Sequence, residues 1–154
     1  MTGKWKKAAA VLLAAVMAVL LVPLPTYAKE TAKISVGSGS CDIGDEVTIS
    51  VSVSSSVDIY MCDIWLSYDS GVLQPVSGYS GGGGGSVRLL STDSTSFSVR
   101  FKAVSAGSSS ISVSTSNTII SSADEDYMAV SAGSGSVTVK APVSYSTDNT
   151  LASL

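Results

Sequence analysis

Tyr60-Met61-Cys62-Asp63-Ile64-Trp65-Leu66-Ser67-Tyr68-Asp69-Ser70-Gly71-Val72-Leu73 is the stretch whose reading decides the fold. Cys62, Ile64, Leu66 and Tyr68 fall on one side of it, and Met61, Asp63, Trp65 and Ser67 on the other. Side chains alternate across a pleated strand, so this period of two predicts a β-strand whose first row enters a core. Asp69-Ser70-Gly71 then supplies turn residues, and Val72-Leu73 return to the core. The outer row is unusual. A strand with one wet face normally shows polar groups there, whereas here a Met and a Trp flank a carboxylate, which is the composition of a surface that meets a partner.

The same alternation recurs on both sides of this stretch. Val47, Ile49, Val51 and Val53 alternate with Thr48, Ser50 and Ser52, and Phe97, Val99, Phe101 and Ala103 with Ser98, Arg100 and Lys102. Shorter candidate strands cover 34–36, 72–76, 87–90, 111–113, 127–130 and 137–139, separated by Gly/Ser/Asp clusters. With 61–67 this makes about nine strands and no helical period after residue 28, which predicts an all-β, two-sheet antiparallel β-sandwich of jelly-roll type. Five consecutive glycines, Gly81 to Gly85, carry no side chain to pack and lose the most entropy on ordering, so a mobile loop is expected there.

The central stretch resembles the third strand of cohesin domains: a Cys-Asp pair, alternating apolar residues, then Tyr-Asp and Val-Leu two residues later. The likeness extends more loosely over about 34–140. It takes in Ile43-Gly44-Asp45-Glu46-Val47, the 97–103 run, Ala106-Gly107 and the closing Gly135-Ser136-Val137-Thr138-Val139. Cohesins are β-sandwich modules that bind dockerins in cellulosome-type assemblies, so the resemblance implies a cohesin-like sandwich and a dockerin-bearing partner. It also places Asp63 on the partner-facing sheet, as an acceptor of hydrogen bonds. Met61 stands where dockerin-binding cohesins often have Asn.

The ends of the chain suggest processing. Lys4, Lys6 and Lys7, the apolar run 8–22 and the small-residue site Thr26-Tyr27-Ala28 read as a signal peptide over 1–28. The apolar run is shorter than the roughly 20 residues a bilayer span needs, so no membrane insertion is expected after cleavage. The sandwich is expected over 29–141. Residues 142–154 read as a linker followed by the start of a further domain, with a short likeness to the first strand of cadherin-like β-sandwich repeats. Secretion or cell-surface display follows as an expectation. Of nine basic residues the leader takes three, leaving six against twelve acidic ones, a net charge of −6. Six scattered cations offer no footprint for nucleic acid.

The chemistry of catalysis is thin. The chain has no histidine, hence neither the usual general base nor the commonest metal ligand. It has no nucleophile elbow, phosphate loop or Cys-x-x-Cys pair. Its carboxylates cluster in turn-like segments such as Asp124-Glu125-Asp126. Asp124 and Asp126 are weak candidates for calcium, which takes several oxygen ligands; with a dockerin as partner, calcium belongs in that partner's loops. No cofactor and no enzymatic activity are expected.

Cys41 and Cys62 are the only cysteines of an exported chain, which invites a disulfide. Their places before one strand and early in the next fit the required Cα approach of about 7 Å poorly. Cohesin-like sequences also commonly keep an unpaired core-facing cysteine at the Cys62 position, so the pairing stays open.

The binding surface is accordingly placed on Met61, Asp63, Trp65 and Ser67, with Arg88, Arg100 and Lys102 as rim contacts. On this reading Asp63→Ala with Trp65→Ala costs partner capture and little stability. Two other roles use the same fold. Trp65 offers a stacking surface for polysaccharide, as in a carbohydrate-binding module, or the domain is a passive spacer of a surface adhesin.

Overall fold

The computed structural model describes residues 29–124 and 126–143. Residues 1–28, Glu125 and residues 144–154 lie outside them, and with them the expected signal peptide, its cleavage site and the expected further domain. Twelve strands form: β1 Thr31–Val36, β2 Gly39–Asp42, β3 Glu46–Ser54, β4 Ile59–Ser67, β5 Leu73–Ser77, β6 Gly81–Gly82, β7 Ser86–Ser91, β8 Ser96–Ala103, β9 Gly107–Val113, β10 Ile119–Ser122, β11 Ala129–Ala132 and β12 Gly135–Lys140. They build two sheets, β11-β1-β3-β8-β5 and β2-β12-β9-β4-β7-β6, with β10 added beside β4. The two-sheet sandwich read from the sequence is therefore present, with β2, β6 and β10 added to the nine expected strands.

Two pairings are parallel, β1 with β11 and β12 with β2, where the sequence suggested antiparallel strands throughout. Their cause is a double crossing. The chain leaves β1 at Gly37-Ser38 and continues as β2 in the opposite sheet; it leaves β11 at Gly133-Ser134 and continues as β12 there too. Two strands that switch sheets side by side in the same direction must pair in parallel in both sheets. The corners are closed by backbone contacts, Gly37 N–H to Ser50 O at 2.8 Å and Gly133 N–H to Ile34 O at 2.9 Å.

Gly135 sits where the second crossing passes the first, and a β-carbon there would overlap the Gly37 carbonyl oxygen. That carbonyl is backbone, so it does not move aside cheaply. Gly135→Ala is expected to cost about 1–3 kcal/mol, the usual range for overpacking, read as a shift in the urea midpoint. A variant as stable as the parent would show that the two corners do not touch.

The core lies between the sheets. Ile34, Ile49, Val51, Val99, Phe101 and Leu73 face Ile64, Leu66, Val87, Leu89, Ile111 and Val137, all essentially inaccessible to solvent. The Tyr68 and Phe101 rings meet across it at a centroid distance of 5.2 Å. The turn after β4 is closed by Asp69: its carbonyl accepts from Val72 and Leu73 N–H, and its side chain from Gly71 N–H at 2.9 Å. The glycine run forms a paired hairpin where a loop was expected. Gly81 and Gly82 pair with Arg88 and Val87, Gly83 N–H donates to Ser86 O at 2.7 Å, and Gly82 to Gly85 all adopt positive φ. Only glycine occupies that region freely, so the run that looked unpackable is what the tight turn requires.

Both cysteines are unpaired in this fold. Cys41 is half-buried on β2, and Cys62 is buried on β4. Burial pushes the Cys62 thiol up from 9.0 to about 11. The folded state thus favours the neutral thiol. Its contribution is complete below pH 9, the unfolded value, and is lost as pH rises toward 11. The span corresponds to roughly 3 kcal/mol. Cys62→Val is expected to flatten the stability profile between pH 9 and 11, measured by denaturant unfolding. An unchanged alkaline slope would contradict the burial of this thiol.

Candidate functional site

The outward row of β4 lies in the middle of its sheet. β7 runs along one side, with Asp63 opposite Leu90, Trp65 opposite Arg88 and Ser67 opposite Ser86. The other side is shared. β9 pairs only at Leu66 and Ser67, and β10 only from Ile59 to Asp63. Between them the 114–118 segment bulges out, tied back by Ser114 N–H to Trp65 O at 2.8 Å and Trp65 N–H to Thr118 Oγ1 at 3.2 Å. Partners across an antiparallel pair share a face. The outer face therefore gathers Met61, Asp63, Trp65, Arg88, Leu90 and Ile119, the last being opposite Asp63 on β10.

At the start of β4 the register slips. Ser121 faces Met61 but Ser122 faces Ile59, so Tyr60 is the extra residue of a bulge. Ile59 packs on the core and Tyr60 is exposed, which is how a bulge re-aims a side chain.

Asp63 is not the solvent-facing carboxylate that the alternation suggested. It is only 9% exposed. Arg88 grips it with both ends of a fork, Nε to Oδ1 at 2.8 Å and Nη2 to Oδ2 at 2.6 Å. Residues two apart on facing strands lie on a diagonal that long side chains span, and charge-assisted bidentate pairs are the strong ones. The hydrogen bond to Asp63, and then its charge, raise the Arg88 pKa above its ordinary value. The guanidinium carbon also stands 6.0 Å from the Trp65 ring centroid, within cation–π range. A buried carboxylate that holds a cation against an aromatic ring is structural, and of this pair the cation is the more exposed. Asp63→Ala with Trp65→Ala is therefore not the clean surface test the sequence implied, because it strands Arg88 and opens the packing beneath it.

Of the expected rim contacts, Arg88 belongs at the centre of the face. Arg100 and Lys102 do not flank it. Both lie on β8 in the other sheet, where Arg100 Nε approaches Glu46 Oε2 at 3.5 Å. Ser67 is half-buried at the β9 end of the row. The strand beside Met61 and Asp63 is β10; the main part of the strand expected over 127–130 is β11, which begins at Ala129 and pairs with β1. Tyr127 keeps a single bridge to Ser121 and is 66% exposed.

Leu90 and Ile119, 41% and 43% exposed, were absent from the sequence-based surface. Leu90 follows Leu89 and Ile119 precedes Ile120, so each is one half of an apolar pair with no alternation to assign its side. Asp124 and Asp126 line an open cleft with Glu30 and Tyr127. Among the described residues no three carboxylate or thiol groups converge as a metal site.

Residues 32–97 match the family model described as "Cohesin domain". No curated protein matches the chain. Among solved structures, the cohesin CaCohA2 of Clostridium acetobutylicum in solution is similar at 20% identity and TM-score 0.60, over 73% of this chain and 92% of that one. A non-cellulosomal cohesin from the archaeon Archaeoglobus fulgidus is similar at 18% and 0.61, over 71% and 91%. The sixth cohesin of Acetivibrio cellulolyticus scaffoldin B, solved with a Cel5 dockerin variant, is similar at 16% and 0.60, over 71% and 99%. These likenesses establish the fold, a cohesin-like sandwich. The chain thus folds as a cohesin-like two-sheet β-sandwich, and residues 32–97 of it are similar to the cohesin domain family.

Proposed function

We propose that this domain is an exported, non-catalytic binding module that captures a dockerin-bearing extracellular protein on the outer face of β4, β7 and β10. The observation that carries this reading is the composition of that face. Half-buried Met61 and Trp65 and exposed Leu90 and Ile119 surround one charge pair in the centre of a sheet. Large apolar or aromatic anchors around a few oriented polar groups make a protein-recognition surface. Solved cohesin relatives of this fold include complexes with dockerins. Export rests on the leader-like sequence over 1–28, and a place in polysaccharide-degrading or cell-surface assembly follows from the class of partner. Any calcium belongs to the partner.

Affinity capture with the purified chain, from the secreted proteins of its own organism, tests the reading. A dockerin-bearing protein retained in calcium and released by a chelator is the expected result. Retention of polysaccharide alone, or of nothing, would transfer the role to glycan binding or to a spacer.

A further inference from the structure

The Asp63–Arg88 pair bears on what the partner must present, and the inference rests on the docking reading above. Asp63 has both oxygens engaged and its side chain is 13% exposed, whereas that of Arg88 is 38% exposed. A guanidinium carries five N–H donors. Two are spent on Asp63, through Nε and one Nη2 proton, and no acceptor among the described residues takes the other three. The unused donors include the end-on pair formed by Nη1 and the second Nη2 proton, which matches a carboxylate bidentately. Met61, Trp65, Leu90 and Ile119 around it are uncharged, so among the described residues of this face Arg88 carries the outward-facing charge. We propose that Arg88 is the specificity-determining residue of the face, and that the partner it selects presents a carboxylate flanked by apolar side chains. The face donates at its centre, and Asp63 serves as a positioning residue that holds the guanidinium beside Trp65 with its free edge outward.

The coupling of two substitutions to the probe's carboxylates separates this from a face that accepts through Asp63. The probe is a dockerin module from the chain's own organism, titrated calorimetrically, as the parent and with each exposed carboxylate of its helices changed to the amide. Asp63→Asn leaves the guanidinium a single acceptor, so it is expected to weaken binding while leaving its dependence on one probe carboxylate in place. Arg88→Met, read in the Asp63→Asn background so that no unpaired carboxylate is left buried, is expected to weaken binding at least tenfold. That loss should disappear against one particular amide variant of the probe. Weakening by Asp63→Asn with no dependence on any single probe carboxylate, or indifference to Arg88→Met while the module still binds, would overturn the inference and leave the docking reading intact. Failure of every such module to bind overturns both.

Discussion

Phe101→Ala is expected to lower the unfolding free energy by about 3–5 kcal/mol, the range for emptying a buried aromatic site. The ring is fully buried on β8, the strand between β3 and β5, with Val47 and Pro75 as its cross-strand neighbours. It reaches Tyr68, which follows β4, at 5.2 Å and a 56° tilt. Phe101 thus links the sheet that carries no candidate contacts to the end of the strand that carries most of them. Domains of this kind have about 5–15 kcal/mol of stability in all, so the variant should lie close to its unfolding margin. The check is a denaturant titration followed by Trp fluorescence. Phe101→Leu should lose much less, because most of the volume stays filled. A loss below about 1 kcal/mol for the alanine variant would mean that the sheets are not joined through this ring.

The second large effect concerns binding. Leu90→Glu combined with Ile119→Glu should weaken partner capture by at least about thirtyfold, the equivalent of losing a hot spot of roughly 2 kcal/mol. Both side chains are about two-fifths exposed in the free domain, so the glutamates remain solvated and the thermal midpoint should barely move. Each stands opposite Asp63, one on β7 and one on β10. A partner seated on the centre of the face cannot avoid both, and it must then bury two charges without partners. Undiminished capture by this double variant would place the interface elsewhere. The choice of residues matters. Trp65 and Asp63 are tied to Arg88, so their removal confuses loss of contact with loss of support, whereas Leu90 and Ile119 carry no such obligation.

The contrast between these two pairs marks what could be read from the sequence. The inner row of β4 was legible because a period of two needs no knowledge of neighbouring strands: Cys62, Ile64 and Leu66 are buried as their spacing requires. The same alternation put Asp63 outward but could not show what covers it. Its partner is 25 residues away on β7, and only the strand register brings Arg88 onto the diagonal. The strands the sequence concealed share a physical reason as well. β2 is Gly-Ser-Cys-Asp and β6 is Gly-Gly, too polar or too bare to signal a strand, and β10 opens on two adjacent isoleucines with no period. Yet β10 brings Ile119 to the face. The parallel pairings at the two crossings follow from glycine corners whose meaning depends on their meeting in space.

Hydrogen exchange on the chain with and without a bound dockerin module tests the central claim most directly, because it reads the interface without altering it. The account predicts added protection on β4, β7 and β10, and none on β3 and β8, where Glu46, Arg100 and Lys102 lie. Protection confined to β3 and β8, or absent from β4 in a saturated complex, would contradict it.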